Sequence, residues 1–287
     1  MTNHNMQPRL PIERRMGDWM RSRLPFAVAE FVMFGLKQGW ACLFGGVMLV
    51  LLIVTKLIWQ ADWTLARYDF LVIAALGIQV TFLAQKLESW GEAKVILLFH
   101  ITGTMMEVFK LEMGSWSYPE PGVLKVGGVP LFSGFLYAAV GSYIARVVRI
   151  FDMRFISYPA EPLTWALGAA IYLNFFWHHF GPDARYILMS GTVALYLHTR
   201  ISFLISDHRY AMPLLVAAGL ATVFLWIAEN VGTLTGTWVY AGNSAFHWTG
   251  IEKAGSWYLL LYVSLVQVML VCRDRLGPEN TAEDESA

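Results

Sequence analysis

The chain has few charged residues and almost no cysteine. Charged residues make up 15% of its 287 residues, against roughly 25% in an ordinary soluble domain, and hydrophobic residues make up 56%. The formal net charge is zero, which gives no basis for a nucleic-acid partner. Cys42 and Cys272 lie far apart in apolar runs. They match no metal-binding spacing or disulfide framework, so we interpret them as small buried side chains.

Sequence motifs for cofactors and common nucleophiles are also missing. There is no Walker loop, dinucleotide fingerprint, nucleophile elbow, haem motif or HExxH pair. Asn174, His178, His179 and Asp183 come close together near the end of one apolar run, but adjacent histidines point to different faces of a helix. We therefore predict no cofactor and no metal site, and we interpret these four residues as interfacial polar groups.

Long apolar runs dominate the sequence. A membrane-spanning helix needs about 20 mostly apolar residues, and eight runs qualify. They cover residues 40–59, 68–87, 93–113, 129–150, 162–180, 185–205, 212–232 and 255–272. A short amphipathic or tilted piece, residues 26–36, precedes the first run. The sequence predicts an all-α polytopic membrane protein with about eight transmembrane helices.

The two ends of the chain are polar. Residues 1–25 are basic, and they are too long and too rich in arginine and proline for the start of a signal peptide, so we interpret them as a cytoplasmic tail. Residues 274–287 are acidic and are predicted to be disordered. With the amino terminus inside, the inner segments hold fourteen Lys or Arg and the outer segments hold six. The positive-inside rule then places both termini in the cytoplasm.

One motif occurs twice, with an offset of 122 residues. Each copy has a glutamate followed at fixed distances by glycine, tryptophan and tyrosine. The first copy contains Glu107, Gly114, Trp116 and Tyr118, and the second contains Glu229, Gly236, Trp238 and Tyr240. An Ala-Arg-Tyr triplet precedes each copy, at 66–68 and 184–186. We predict two tandem four-helix repeats, residues 26–158 and 159–273, which insert in parallel orientation because each has an even number of spans.

The two glutamates are the predicted catalytic residues. An ionisable group inside a span usually faces the bundle interior or a wet cavity, and a carboxyl group in an apolar setting can donate a proton. His100 and Thr104 share a helix face with Glu107, which makes His100 a third catalytic candidate and Thr104 a substrate-binding candidate. The alternative is structural: each glutamate bonds a neighbouring helix, Glu107 pairs with Lys110 one turn on, and His100 bonds between helices.

Aromatic residues and lysines that follow each glutamate are the other candidates for substrate binding. They are Trp116, Tyr118, Lys125, Trp238, Tyr240 and Lys253. Tryptophan and tyrosine are typical of the membrane surface, which explains the residue types but not their repeated spacing. We expect these segments to fold back over the bundle and line a pocket.

Over nearly its whole length the chain resembles a bacterial family of integral membrane proteins known as domain of unknown function 817. Residues 107–118, 127–137 and 236–240 carry the resemblance, which implies a multi-pass protein of the bacterial cytoplasmic (inner) membrane and no established activity. More distantly, the glutamate, the GxW loop and the following Gly-x-Pro are similar to membrane lycopene cyclases and carotenoid hydratases. That similarity implies protonation of a polyene by a carboxylic acid. This chain departs from the cyclases at Leu131, Phe132 and Ser133, where they carry acidic residues.

Three hypotheses for the function follow. The first is a membrane-embedded enzyme that protonates a lipid or isoprenoid, carotenoid-like substrate at Glu107 or Glu229. The alternative is a proton-coupled small-solute transporter of the inner membrane, since a duplicated bundle with buried carboxylates also suits proton movement. The third is a sensor or scaffold without catalysis. The membrane bilayer is the expected partner in each case.

Overall fold

Ten α-helices make up most of the part of the chain that the structure, a computed structural model, describes: residues 11–242 and 247–271. The helices are α1 (Pro11–Arg23), α2 (Phe26–Ala41), α3 (Leu43–Ile58), α4 (Arg67–Ala84), α5 (Trp90–Glu112), α6 (Phe132–Ile150), α7 (Glu161–Trp177), α8 (Arg185–Tyr196), α9 (Leu214–Leu234) and α10 (Glu252–Val271). Helix α1 lies within the segment that was predicted to be a polar tail. The predicted acidic tail and Cys272 lie outside the described residues.

Seven short strands connect these helices. They are β1 (Trp116–Ser117), β2 (Lys125–Val126), β3 (Val129–Pro130), β4 (Arg154–Ile156), β5 (Arg200–Ile205), β6 (His208–Pro213) and β7 (Val239–Tyr240). All the pairs are antiparallel: β1 with β7, β2 with β3, and β4–β5–β6 as a three-stranded sheet. The β1–β7 pair joins segments that are more than 100 residues apart in sequence, and the candidate site lies beside it.

Three helices in the described part of the chain are long and apolar enough to cross a membrane, namely α4, α9 and α10. Helices α2 and α3 form a fourth candidate if they are one bent span, and their axes meet at 70°. Helix α2 covers residues 26–36, the short piece expected before the first apolar run, and extends five residues beyond it. Cys42 lies at the break and is exposed, so the prediction that its side chain is buried was wrong.

The sixth apolar run, residues 185–205, is not one helix. Helix α8 ends at Tyr196 after 12 residues, a length of about 18 Å at 1.5 Å per residue, against about 30 Å for the hydrocarbon core of a bilayer. The rest of the run is β5, which pairs with β4 on one side and β6 on the other. Ile201, Phe203 and Ile205 are buried at every second position, the period of a strand, and this packing overrides the apolar signal for a helix.

Helix α9 buries its polar residues and exposes its apolar ones. Glu229, Asn230 and Thr233 are buried, whereas Leu220 is 56% exposed and Phe224 is 73% exposed. A helix on the surface of a soluble protein shows the opposite arrangement. The polar face of α9 therefore points into the protein.

Helices α5 and α6 pack closely because glycine lies at their contacts. A Cβ atom on Gly103 would come within 2.6 Å of the Tyr137 Cβ atom, and one on Gly141 would come within 2.6 Å of the Phe99 ring. Small residues let two helix backbones approach in this way. The close approach brings the Tyr137 side chain beside the carboxyl-terminal half of α5.

Candidate functional site

Helices α5 and α9 end in the same way. Each stops before a glycine in the left-handed backbone region, with φ of +66° at Gly114 and +61° at Gly236. The amide that follows each glycine donates to the carbonyl five residues earlier, at 2.9 Å in both copies. This pattern is the Schellman motif, which turns the chain back at a helix end. The tryptophan and tyrosine that follow are therefore returned alongside their own helix.

The carboxylate of Glu107 accepts three hydrogen bonds. Trp116 donates from Nε1 to Oε2 at 2.7 Å, Tyr118 donates its hydroxyl to Oε2 at 2.6 Å, and Tyr137 donates its hydroxyl to Oε1 at 2.8 Å. Glu107 is buried, so these donors take the place of water. Burial, with the negative charge of Glu107 beside it, raises the pKa of the Tyr118 hydroxyl well above its ordinary value. That hydroxyl therefore remains a donor.

Glu229 is held by the equivalent residues of the second copy. Trp238 donates from Nε1 and Tyr240 donates its hydroxyl to Oε1 of Glu229, both at 2.8 Å. Glu229 is also buried, and the Trp257 side chain of α10 lies beside its carboxylate. Burial raises the pKa of the Tyr240 hydroxyl in the same way as that of its counterpart in the first copy.

Strands β1 and β7 bring the two glutamate sites together. Trp116 pairs with Tyr240 and Ser117 pairs with Val239 across the ladder. The Trp116 and Tyr240 rings meet edge to face, with centroids 5.7 Å apart. The carboxylates of Glu107 and Glu229 are close enough for their charges to repel each other. The four aromatic residues predicted to bind substrate are thus tied to the two carboxylates instead of lining an open pocket.

His100 and Thr104 precede Glu107 on α5, by about two turns and one turn, and contact α6 at Gly134. A Cβ atom on Gly134 would come within 2.5 Å of both His100 Nδ1 and Thr104 Oγ1. Neither of these buried atoms has a hydrogen-bond partner among the described residues. The His100 ring packs against Phe135, with centroids 4.4 Å apart. Seven residues separate His100 from Glu107, which is about 10 Å along a helix, so the structure keeps them apart.

The two lysines predicted to bind substrate lie in different surroundings. Lys253 Nζ lies 3.9 Å from the centroid of the Tyr240 ring, beside the second glutamate site. Lys125 instead donates to the carbonyl of Glu120 at 2.9 Å, and its Nζ lies 5.2 Å from the Tyr68 ring. Of the two, only Lys253 contacts an aromatic residue that is hydrogen-bonded to Glu107 or Glu229.

Lys110 does not form the ion pair with Glu107 that its spacing allowed. Its Nζ lies 2.6 Å from His179 Nε2 and 3.0 Å from His178 Nε2, at the end of α7. The two adjacent histidines therefore do converge, on an ammonium group. The described residues contain no group of three or more His, Cys, Asp or Glu that could hold a metal ion.

Sequence reasoning missed several residues of this region. Tyr137 of α6 and Trp257 of α10 contact the carboxylates from helices that carry no part of the repeated motif, and their rings lie 6.0 Å apart. Arg67 and Tyr68 were noted only as markers of the repeat, yet they bond Thr237 in the second copy at 3.1 and 2.6 Å. Tyr137 is an aromatic residue with a hydroxyl group on the helix predicted to follow the first motif, and this was the one sequence feature that could have indicated it as a partner of Glu107.

A second buried polar cluster lies at the opposite end of α5 and α6. Arg146 Nη1 is 3.6 Å from Glu88 Oε1, and both side chains are fully buried. Gln79 and Ser142 donate to the Glu88 carboxylate at 2.6 and 3.1 Å. No motif in the sequence predicted this cluster.

A crevice runs between α5, α6, α9 and α10. Its walls are mostly apolar, and Tyr137 and Trp257 form the part that meets the glutamate sites. Its free volume is about 20 Å³, and a cavity needs about 10–15 Å³ to hold one water molecule. As it stands, the crevice has room for little more than one water.

Comparison with known sequences identifies the family of this helical protein. Residues 30–265 match the family described as Protein of unknown function (DUF817), so the chain belongs to that family, as its motifs predicted. It is 39% identical over 263 residues to the Bacillus subtilis (strain 168) protein called Uncharacterized protein YoaT, covering 91% of this chain and 98% of that one. A solved structure of a cross-linked MvINS trimer is similar at a TM-score of 0.47 and 12% identity, covering 66% of this chain and 98% of that one.

Proposed function

We propose that this chain is a multi-pass protein of the bacterial cytoplasmic membrane, with both termini in the cytoplasm and helices α3 to α10 as its eight spans. Outward-facing apolar side chains support this, since Leu57, Ile187 and Phe224 are each more than 70% exposed. Large exposed apolar surfaces in water are costly, and a bilayer would cover them. Helix α8 would cross only part of the bilayer, with β5 and β6 at its inner end.

The eight spans form two tandem four-helix repeats in this proposal, α3–α6 and α7–α10. The matching ends of α5 and α9 support it, because both place a glutamate, a left-handed glycine, a tryptophan and a tyrosine at identical spacing. The register of β1 and β7 supports it too. Pairing Trp116 with Tyr240 and Ser117 with Val239 aligns the two motifs symmetrically about the central pair, as a local twofold axis requires.

The activity that the geometry supports best is protonation of a lipid or isoprenoid, carotenoid-like substrate. One observation carries this: Tyr137 hydrogen-bonds Glu107 and also lines the apolar crevice, where it meets Trp257 beside Glu229. An apolar chain could reach this point from the bilayer between the four helices. Because the crevice holds about one water, the substrate would have to displace wall side chains as it enters.

In this mechanism Glu107 is the proton donor. This step requires the acid form of Glu107, in which the carboxyl group donates to the Tyr137 oxygen across the same 2.8 Å contact and the Tyr137 hydroxyl is free to turn its proton to the substrate. Tyr137 then passes its proton to a carbon–carbon double bond and takes the proton of the carboxyl group. A carbocation and a carboxylate result, and the second carboxylate, Glu229, with the faces of the surrounding aromatic rings stabilises the positive charge. Loss of a neighbouring proton or capture of water ends the reaction and restores the acid.

A comparative lipid profile tests this proposal. A lycopene-producing bacterium would express the wild type, Glu107→Gln or Glu229→Gln at matched membrane levels, and total lipids and isoprenoids would be compared by mass spectrometry. The control is Glu112→Gln, an exposed glutamate on the same helix as Glu107. We expect the wild type and the control to alter the amount of at least one lipid or isoprenoid. Neither Glu107→Gln nor Glu229→Gln should alter the amount of that compound. Identical profiles in all four strains would contradict enzymatic protonation of these substrates.

Proton-coupled transport is the second candidate, and a different observation favours it. Two buried polar atoms without a partner among the described residues lie on α5 between Glu107 and the Glu88–Arg146 cluster at the other end, namely His100 Nδ1 and Thr104 Oγ1. Such atoms in a native protein are usually satisfied by internal water, which would extend a polar path along α5 and α6.

Proteoliposomes that contain a pH-sensitive dye would test transport. An imposed pH gradient should collapse faster with wild-type protein than with Glu88→Gln or Glu107→Gln, and Glu112→Gln should match the wild type. Equal rates in empty liposomes and in liposomes with wild-type protein would contradict a proton path.

A further inference from the structure

The direct contacts of the Lys110 ammonium group are two imidazoles and an aromatic ring. Its Nζ lies within hydrogen-bond distance of His178 Nε2 and His179 Nε2 and 4.4 Å from the Phe175 ring centroid. His178 Nδ1 lies 2.9 Å from the carbonyl of Asn174, so this imidazole donates from Nδ1 and accepts at Nε2. The ammonium group thus donates two of its three N–H bonds to the two imidazoles. The third N–H can donate to a further acceptor.

Two other cations lie near this lysine, together with carboxylates that already have partners. Lys110 is only 6% exposed, and Arg185 and Lys253 are near enough to repel it. Asp183 pairs with Arg185 at 3.2 Å, and Glu252 is near Lys253. The remaining carboxylates nearby are Glu107 and Glu229, which their aromatic donors already hold. A buried cation whose direct partners are neutral is costly, and an anion bound here would offset that cost.

The crevice begins one helical turn from Lys110 and from Lys253. On α5, Met106 lines the crevice and precedes Lys110 by four residues, while on α10, Trp257 lines the crevice and follows Lys253 by four residues. Residues four apart lie on the same face of a helix. The two lysines therefore stand at the mouth of the crevice, on the faces that form its walls.

We infer that this end of the bundle binds an anionic amphiphile, with a phosphate or carboxylate head on Lys110 and Lys253 and a single long apolar tail in the crevice. The inference rests on the proposed function and names its substrate class. Head oxygens accept the third N–H of Lys110 and the ammonium protons of Lys253, and these charge-assisted bonds anchor the head. The tail then runs past Tyr137 and Trp257, where the proposed proton donor acts.

Binding to the full-length protein in phosphatidylcholine nanodiscs tests this. Three probes separate head from tail: farnesyl phosphate carries both, farnesol lacks the phosphate, and inorganic phosphate lacks the tail. We expect farnesyl phosphate to bind more tightly than either of the others. Lys110→Gln and Lys253→Gln should each weaken farnesyl phosphate by about tenfold, because a charge-assisted bond is lost, and leave farnesol unchanged. The control is Lys94→Gln, an exposed lysine about four turns away on the same helix as Lys110.

Several outcomes would overturn the inference. They are equal affinity for farnesyl phosphate and farnesol, equal affinity for farnesyl phosphate and inorganic phosphate, and unchanged farnesyl phosphate binding in both lysine variants. Lys253 is half-buried, so its variant remains informative if Lys110→Gln fails to fold. Tight binding with unchanged lipid profiles would contradict only the proposed function, and altered profiles with no head-group preference would contradict only the amphiphile.

Discussion

Trp116 and Tyr240 face each other across the β1–β7 ladder, and each donates a hydrogen bond to a different buried glutamate. The Trp116 indole binds Glu107 of α5, and the Tyr240 hydroxyl binds Glu229 of α9. The ladder thus couples the ends of two helices whose glutamates are 122 residues apart. A change at either aromatic residue will disturb its own glutamate directly and the other through the ladder.

Removing a donor to Glu107 should destabilise the protein. Tyr118→Phe deletes a 2.6 Å hydrogen bond to a buried carboxylate, and a hydrogen bond to a charged group contributes about 1.5–3 kcal/mol. We expect a lower midpoint of thermal unfolding in detergent. The matched control is Tyr186→Phe, because Tyr186 is 78% exposed on α8. Equal midpoints for the two variants would show that this hydrogen bond adds nothing to stability.

Gly232 should not tolerate a methyl group. The Trp238 ring lies directly over it, and a Cβ atom there would fall 1.8 Å from the Trp238 Cη2 atom. Gly232→Ala would push the indole away from Glu229 and cost about 1–3 kcal/mol, as overpacking usually does. Gly219→Ala, on the same helix with open space around it, is the control and should be neutral or stabilising. Unfolding midpoints would check this, and similar values for both variants would refute it.

Gly114 should be sensitive for a different reason. Its φ of +66° is left-handed although a Cβ atom there would meet nothing within 4 Å, so Gly114→Ala costs backbone strain of about 1–2 kcal/mol. Gly77→Ala in α4, which also has open space, separates strain from crowding. We expect a lower unfolding midpoint for the first variant only. A drop of the same size in both would mean that strain is not the cause.

The proposed topology can be checked with reporter fusions. Alkaline phosphatase, which is active only outside the cytoplasm, should be active when fused after Gly122, in the loop between β1 and β2. It should be inactive when fused after Asp207, in the turn between β5 and β6. Green fluorescent protein at the same positions should give the opposite pattern. Activity at both positions, or at neither, would contradict the orientation proposed from the lysine and arginine count.

Much of the local structure could be predicted from the sequence. All eight apolar runs contain a helix, because an apolar run of about 20 residues favours one. Residues 185–205 contain strand β5 as well as helix α8, because Ile201, Phe203 and Ile205 pack against neighbouring strands, a long-range contact that no local window reports. The glycines after α5 and α9 were part of a visible motif, and they do end their helices.

The sequence alone determined which residues form the repeated motif, since glutamate, glycine, tryptophan and tyrosine recur at fixed offsets, and it determined the family. Only the tertiary structure decided that Tyr137 completes the Glu107 site, that Lys110 turns to His178 and His179, and that Glu88 meets Arg146. These contacts join helices far apart in the chain. They depend on how closely α5 and α6 pack at glycine and on the pairing of β1 with β7, and neither leaves a periodic pattern in the sequence.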